Sequence, residues 1–143
     1  MKNTETIEYI TNCLLKEYPD LMDAHSAGPN LTVEKLKNYI KYHKLDFQIT
    51  PFNYQEIISV ICNKLALHPE NYEAIAFCLN KKYTDEDLLN ITNEEVYQMI
   101  IKLDNYTDNG NMLDNDLLDA VIAIWIQLRN NDYENDSQWD AYI

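Results

Sequence analysis

Five aspartates within a short stretch, Asp104, Asp108, Asp114, Asp116 and Asp119, flank the turn pair Asn109-Gly110 and have the most chemistry to offer in this chain. Carboxylates crowded around a turn repel one another, so they are best tolerated where a cation or a lysine- and arginine-bearing surface neutralises them. Asp114 and Asp116 also stand where a helix is expected to begin, and there the helix dipole favours negative charge without any partner. Asp85, upstream, joins these five as a candidate for contact with a partner. A second candidate is the end of the chain, where Tyr133, Glu134, Asp136 and Trp139 interleave acids with aromatic rings, a composition suited to tail-mediated contact.

Other chemistries find less support. Residues 105–116 place glycine sixth and a carboxylate last, in the manner of a calcium loop. Asparagine first and threonine third remove two acidic ligands, and the final residue is aspartate where a bidentate glutamate is normal, so calcium is not expected. Whether any metal binds is left open. His25, His43 and His68 have no nucleophile or ligand at a recognisable spacing, and no phosphate loop, HExxH or GxSxG motif occurs, so the chain reads as a non-enzyme. The lysines Lys35, Lys37, Lys41 and Lys44 belong to a near-neutral half, which argues against direct nucleic-acid binding. Cys13, Cys62 and Cys78 lie in helical segments outside any CxxC or Cys/His cluster and are expected to be small buried hydrophobes. So sparse and odd a count, with no secretory signal and no long apolar run, points to a reducing cytoplasmic setting and no membrane span.

The elements that must position these residues repeat. Cys13-Leu14-Leu15-Lys16-Glu17-Tyr18-Pro19-Asp20 returns as Cys78-Leu79-Asn80-Lys81-Lys82-Tyr83-Thr84-Asp85, and Asn30-Leu31-Thr32 returns as Asn90-Ile91-Thr92. A third match sets Gln55–Ile61 against Leu118–Ile124. Two glycines and four prolines in 143 residues argue for helices over a many-turned β architecture. Each copy reads as three helices. The first places Ile7, Ile10, Leu14 and Tyr18, or Tyr72, Ile75, Leu79 and Tyr83, on one face. The second starts after a threonine, with Leu36, Tyr39 and Ile40 inward, or Val96, Met99, Ile100 and Leu103 after the capping-box pair Thr92 and Glu95. The third carries Ile57, Ile58, Ile61 and Leu65, or Leu117, Leu118, Val121, Ile124, Trp125 and Leu128. Asn109-Gly110 favours a tight turn and a short hairpin between the last two helices.

The expected fold is mainly α, with two tandem three-helix modules packed together and at most short strands. Residues 1–68 form the first repeat, 69–130 the second and 131–143 an acidic aromatic tail. Residues 1–68 hold seven basic and eight acidic residues, whereas 69–143 hold four and sixteen. Nearly all of the net charge of −13 therefore resides in the later copy, as expected of a surface that meets a basic partner.

Several stretches together resemble a known family. Tyr18-Pro19-Asp20-Leu21, the threonine-led helices, Leu103-Asp104-Asn105-Tyr106-Thr107-Asp108 and Leu118-Asp119-Ala120-Val121-Ile122-Ala123-Ile124-Trp125 are similar to the IscX family of small acidic proteins in bacterial iron–sulfur cluster assembly. The resemblance implies a winged-helix-like module in each copy, binding of cysteine desulfurase through carboxylates, and weak iron binding with no resident cofactor. The expected function is that of a non-enzymatic adaptor or regulator docking on a basic protein. The alternative is an acidic inhibitor, such as an antitoxin, an immunity protein or a phage-encoded nucleic-acid mimic, directed at a basic nuclease or other nucleic-acid-processing effector. The sequence leaves the oligomeric state open.

Overall fold

The computed structural model describes residues 3–23, 26–107 and 113–130, and over these the chain is built from helices: α1 (Asn3–Glu17), α2 (Val33–Tyr42), α3 (Pro51–Lys64), α4 (Tyr72–Lys82), α5 (Asn93–Ile101) and α6 (Asn115–Arg129). The β pairing among the described residues is a single parallel bridge between Leu67 and Tyr106. The stretch expected to form the hairpin, centred on Asn109-Gly110, and the whole 131–143 tail lie outside the described residues.

Local chemistry fixes where the helices start. Thr32 accepts a hydrogen bond from the Lys35 N–H at 3.0 Å, and Thr50 accepts from Asn53 at 3.1 Å ahead of Pro51, whose fixed φ suits a first helical turn. Thr92 and Glu95 form the expected capping box. Helix α2 ends on Lys44 in the left-handed region, φ 53°, with Leu45 donating back to Ile40 and Lys44 to Lys41. That is a Schellman closure with lysine at the position where glycine is usual.

The first and third helices of each set pair alike, α1 on α3 and α4 on α6, and α5 packs against both α4 and α6. Contact of α3 with α4 joins the sets into one core. Ile7, Ile10 and Leu14 of α1, Leu36, Tyr39 and Ile40 of α2, and Leu118, Val121, Trp125 and Leu128 of α6 are buried as their periodicity indicates. Helix α4 departs from its expected single face. Residues Ala74 to Leu79 are buried without interruption, because α4 has neighbours on several sides and Ala74, Ala76 and Cys78 are small enough to let them approach. Tyr72 and Tyr83, assigned inward by spacing, are only half-buried at the rim.

Each set also satisfies backbone groups of the other. The Ala27 carbonyl accepts from the N–H groups of Glu73 and Ala74 at 2.9 and 3.1 Å, so a first-half loop caps α4. Asn71, fully buried, donates to the carbonyls of Asp23 (3.0 Å) and Ser26 while its oxygen accepts from the His68 N–H at 2.7 Å. In return the Asn105 side chain donates to the Cys62 and Leu65 carbonyls at 2.7 and 2.8 Å, closing the end of α3 from the second half. Helix ends leave unpaired donors and acceptors, so these exchanges make the halves mutually dependent. Leu67 already bonds to this loop, donating to Asn105 O at 2.8 Å and accepting from Thr107 at 2.7 Å.

Candidate functional site

The beginnings of α5 and α6 are held side by side. Asn93 donates from its side chain to Asn115 at 3.3 Å and to Asp119 at 3.1 Å. Asp114 is the N-cap of α6, its carboxylate accepting from the Leu117 N–H at 2.8 Å, and Asp116 occupies the first turn. The structure therefore brings Asp114, Asp116 and Asp119 together and adds two acids that the spacing argument missed. Glu94 and Glu95 lie exposed in the first turn of α5. Glu95 is engaged with Thr92, and Glu94 accepts from Gln98 at 3.1 Å. Both helix dipoles stabilise this negative charge, which is why it persists at the surface without internal cations.

The other sequence candidates stand apart from that group. Asp104 is exposed on the segment after α5, next to Asn105, which is committed to the end of α3. Asp85 is exposed near the opposite end of α6. There Arg129 donates to the Tyr83 carbonyl at 2.9 Å and to the Glu86 carbonyl, pinning the backbone on both sides of Asp85. The guanidinium also lies 5.7 Å from the ring centroid of Trp125. Fifteen helical residues separate the two ends, a span of about 22 Å. Asp108, with Tyr133, Glu134, Asp136 and Trp139, lies outside the described residues.

The described ion pairs, Lys64–Glu8 at 2.7 Å, Lys81–Glu56 at 3.4 Å and His43–Glu17 at 3.2 Å, all use carboxylates of the first half. Asp85, Asp104, Asp114, Asp116 and Asp119 are exposed and enter none of them. Among the described residues no group of three or more His, Cys, Asp or Glu side chains is placed to hold a metal ion. In the calcium-like stretch, the first-position Asn105 donates its side-chain N–H groups to the end of α3.

Comparison with known families bears on the same half of the chain. Residues 67–130 match the family model for iron-sulphur cluster assembly. No curated protein and no solved structure matches the chain. The matched segment opens at Leu67, the residue that bridges to Tyr106, and closes at Asn130, just beyond α6. It contains Asp85 and all five of the clustered aspartates, and it holds twelve acidic residues against four basic ones.

The cysteines show no site chemistry. Burial and the neighbouring Cys78 push the Cys62 thiol well above its ordinary range, and burial lifts Cys78 to about 11. Both are protonated and poorly nucleophilic near neutral pH. Cys13, expected to be buried, is only half-buried because it lies toward the rim of α1. His43, exposed just after α2, is its C-cap residue, pairs with Glu17 and packs on Tyr39 with centroids 4.3 Å apart. No helix among the described residues is long and apolar enough to cross a membrane.

Proposed function

We propose that the chain is a non-enzymatic cytoplasmic adaptor or regulator of iron–sulfur cluster assembly, IscX-like and built as a tandem, with cysteine desulfurase as its basic partner. The observation that carries this reading is the coincidence of the family match with the acidic half of the chain. Glu94, Asp116 and Asp119 at the start of α5 and α6, with Asp104 and Asp85 further out, form a negative field that is not answered by the described ion pairs. Such a field raises the rate of encounter and sets orientation more than it adds affinity. The first half, near neutral and outside the matched segment, acts as the supporting copy that caps α4 and completes its core. The 68/69 division marks where the two copies meet in sequence, not two separable bodies.

The match at 67–130 is the reason for preferring this reading to that of an acidic inhibitor, which accounts for the charge and for nothing else. The test is charge reversal at exposed positions that cap no helix: Asp104→Lys with Asp119→Lys. Binding to purified cysteine desulfurase at physiological salt is expected to fall at least tenfold, mainly through a slower association rate. Unchanged binding would remove the electrostatic mechanism, and capture of a nuclease in place of the desulfurase would favour the inhibitor.

A further inference from the structure

On the first half, the end of α1 and one side of α2 enclose a groove of about 340 Å³ lined by Glu17, Tyr18, Lys35, Asn38, Tyr39, Tyr42 and His43. Its walls are aromatic and mutually tilted. Tyr18 meets Tyr39 edge-on at 6.1 Å and 63°, Tyr39 meets His43 at 4.3 Å and 45°, and Tyr42 meets His43 at 5.0 Å and 81°. Tyr39 is buried and forms the floor, whereas Tyr42 is 80% exposed, an unusual expense of aromatic surface to water. The rings border the groove at angles to one another, and a ring face carries the negative side of its quadrupole, which attracts a cation.

The groove already attracts an ammonium of its own chain. Lys35 Nζ lies 5.1 Å from the Tyr18 ring centroid. At the other end stands the Glu17 carboxylate, with His43 Nε2 at 3.2 Å from one of its oxygens and 43% of its side chain open to solvent. Aromatic faces together with an accessible carboxylate select a cation that can stack and donate hydrogen bonds at the same time. A quaternary ammonium stacks but has no N–H for Glu17. A guanidinium does both: its plane lies against a tyrosine face, its edge donates to a carboxylate, and its weak hydration favours it over the resident ammonium. The Asn38 side chain, exposed at the same rim, supplies a further acceptor.

We propose that this groove binds the side chain of an arginine presented by a protein partner. The site is a second contact, on the half of the chain outside the family match, and it anchors a single residue where the acidic helix starts attract a surface. It rests on the proposed function only for the expectation that the partner is basic; the recognition chemistry is independent of that partner's identity.

The experiment is titration of the full chain with acetyl-Gly-Arg-Gly-amide, the lysine analogue of that peptide, and tetramethylammonium, followed by the aromatic NMR resonances of Tyr18, Tyr42 and His43. Saturable shifts of these rings are expected with the arginine peptide, several-fold tighter than with the lysine peptide, and none that saturate with tetramethylammonium. Tyr42→Ala removes an exposed ring that no core residue needs, and is expected to weaken arginine binding by about three- to tenfold. Glu17→Gln is expected to erase the preference for arginine over lysine. Asp104→Lys with Asp119→Lys is expected to leave the ring shifts in place, which separates this site from the acidic surface. Equal binding of arginine and lysine, tetramethylammonium binding as tight as arginine, or arginine shifts confined to α5 and α6 would each overturn the assignment.

Discussion

Replacing Asn71 with alanine removes the residue by which the two halves are tied most economically. Its side chain is fully buried, so the substitution strands the His68 N–H and the carbonyls of Asp23 and Ser26 together at the start of α4. A net contribution of about 1 kcal/mol for each of three buried hydrogen bonds gives a loss of about 3 kcal/mol. With a urea slope of roughly 2 kcal/mol per molar for a chain of this size, the unfolding midpoint is expected to drop by about 1.5 M. The assay is urea denaturation followed by far-ultraviolet circular dichroism, paired with amide hydrogen exchange resolved to α1 and α6. Because the bonds of Asn71 reach loop positions 45 and 48 residues away, protection is expected to fall in both helices together. A midpoint shift below about 0.5 M, or loss of protection in α6 alone, would refute the claim that the halves depend on each other.

Lys44→Gly is expected to stabilise the chain by about 1 kcal/mol, measured by thermal melting, because lysine there holds φ at 53°. Gly28→Ala is expected to cost about 1 kcal/mol in the same measurement, since the added carbon would meet Glu73 Cβ at 3.1 Å, a backbone-anchored atom with little freedom to yield. A thiol reagent at pH 8 should modify Cys13 in the folded chain and reach Cys62 and Cys78 only on unfolding. Stability is also expected to decline as pH rises from about 9 toward 11. In that window unfolded Cys78 ionises near its ordinary 9.0 while the folded thiol holds its proton, so the unfolded state binds fewer protons and is favoured by rising pH. A flat urea midpoint between pH 9 and 11 would contradict this.

What could be read from the residues alone was local or periodic. The 65-position return of Cys13–Asp20 at Cys78–Asp85 falls on α1 and α4 and the residues after them, and Thr32, Thr92 and Glu95 cap helices as their spacing indicates. What was hidden depended on neighbours distant in sequence. Periodicity gives α4 one apolar face, because it cannot register that α3, α5 and α6 surround that helix. Asn71 and Asn105 look like ordinary loop residues in the sequence, yet the carbonyls they satisfy lie 40 or more positions away. The aspartate cluster was legible as composition but not as shape. Linear proximity suggested one patch, whereas the fold sends Asp85 to the far end of α6 and brings Glu94 and Glu95 into the group through the Asn93 bridge. The tilt of Tyr18, Tyr39 and Tyr42 around one groove likewise becomes visible only once the fold sets Tyr18, just after α1, beside Tyr39 of α2.

The central claim, that the acidic half of this chain docks on the basic surface of cysteine desulfurase, is tested most directly by calorimetric titration of the two purified proteins across a series of salt concentrations. The account predicts one saturable binding event whose affinity falls steeply between about 50 and 300 mM salt, as expected where exposed carboxylates steer association. Affinity indifferent to salt, or no heat of binding at the lowest salt, would contradict it.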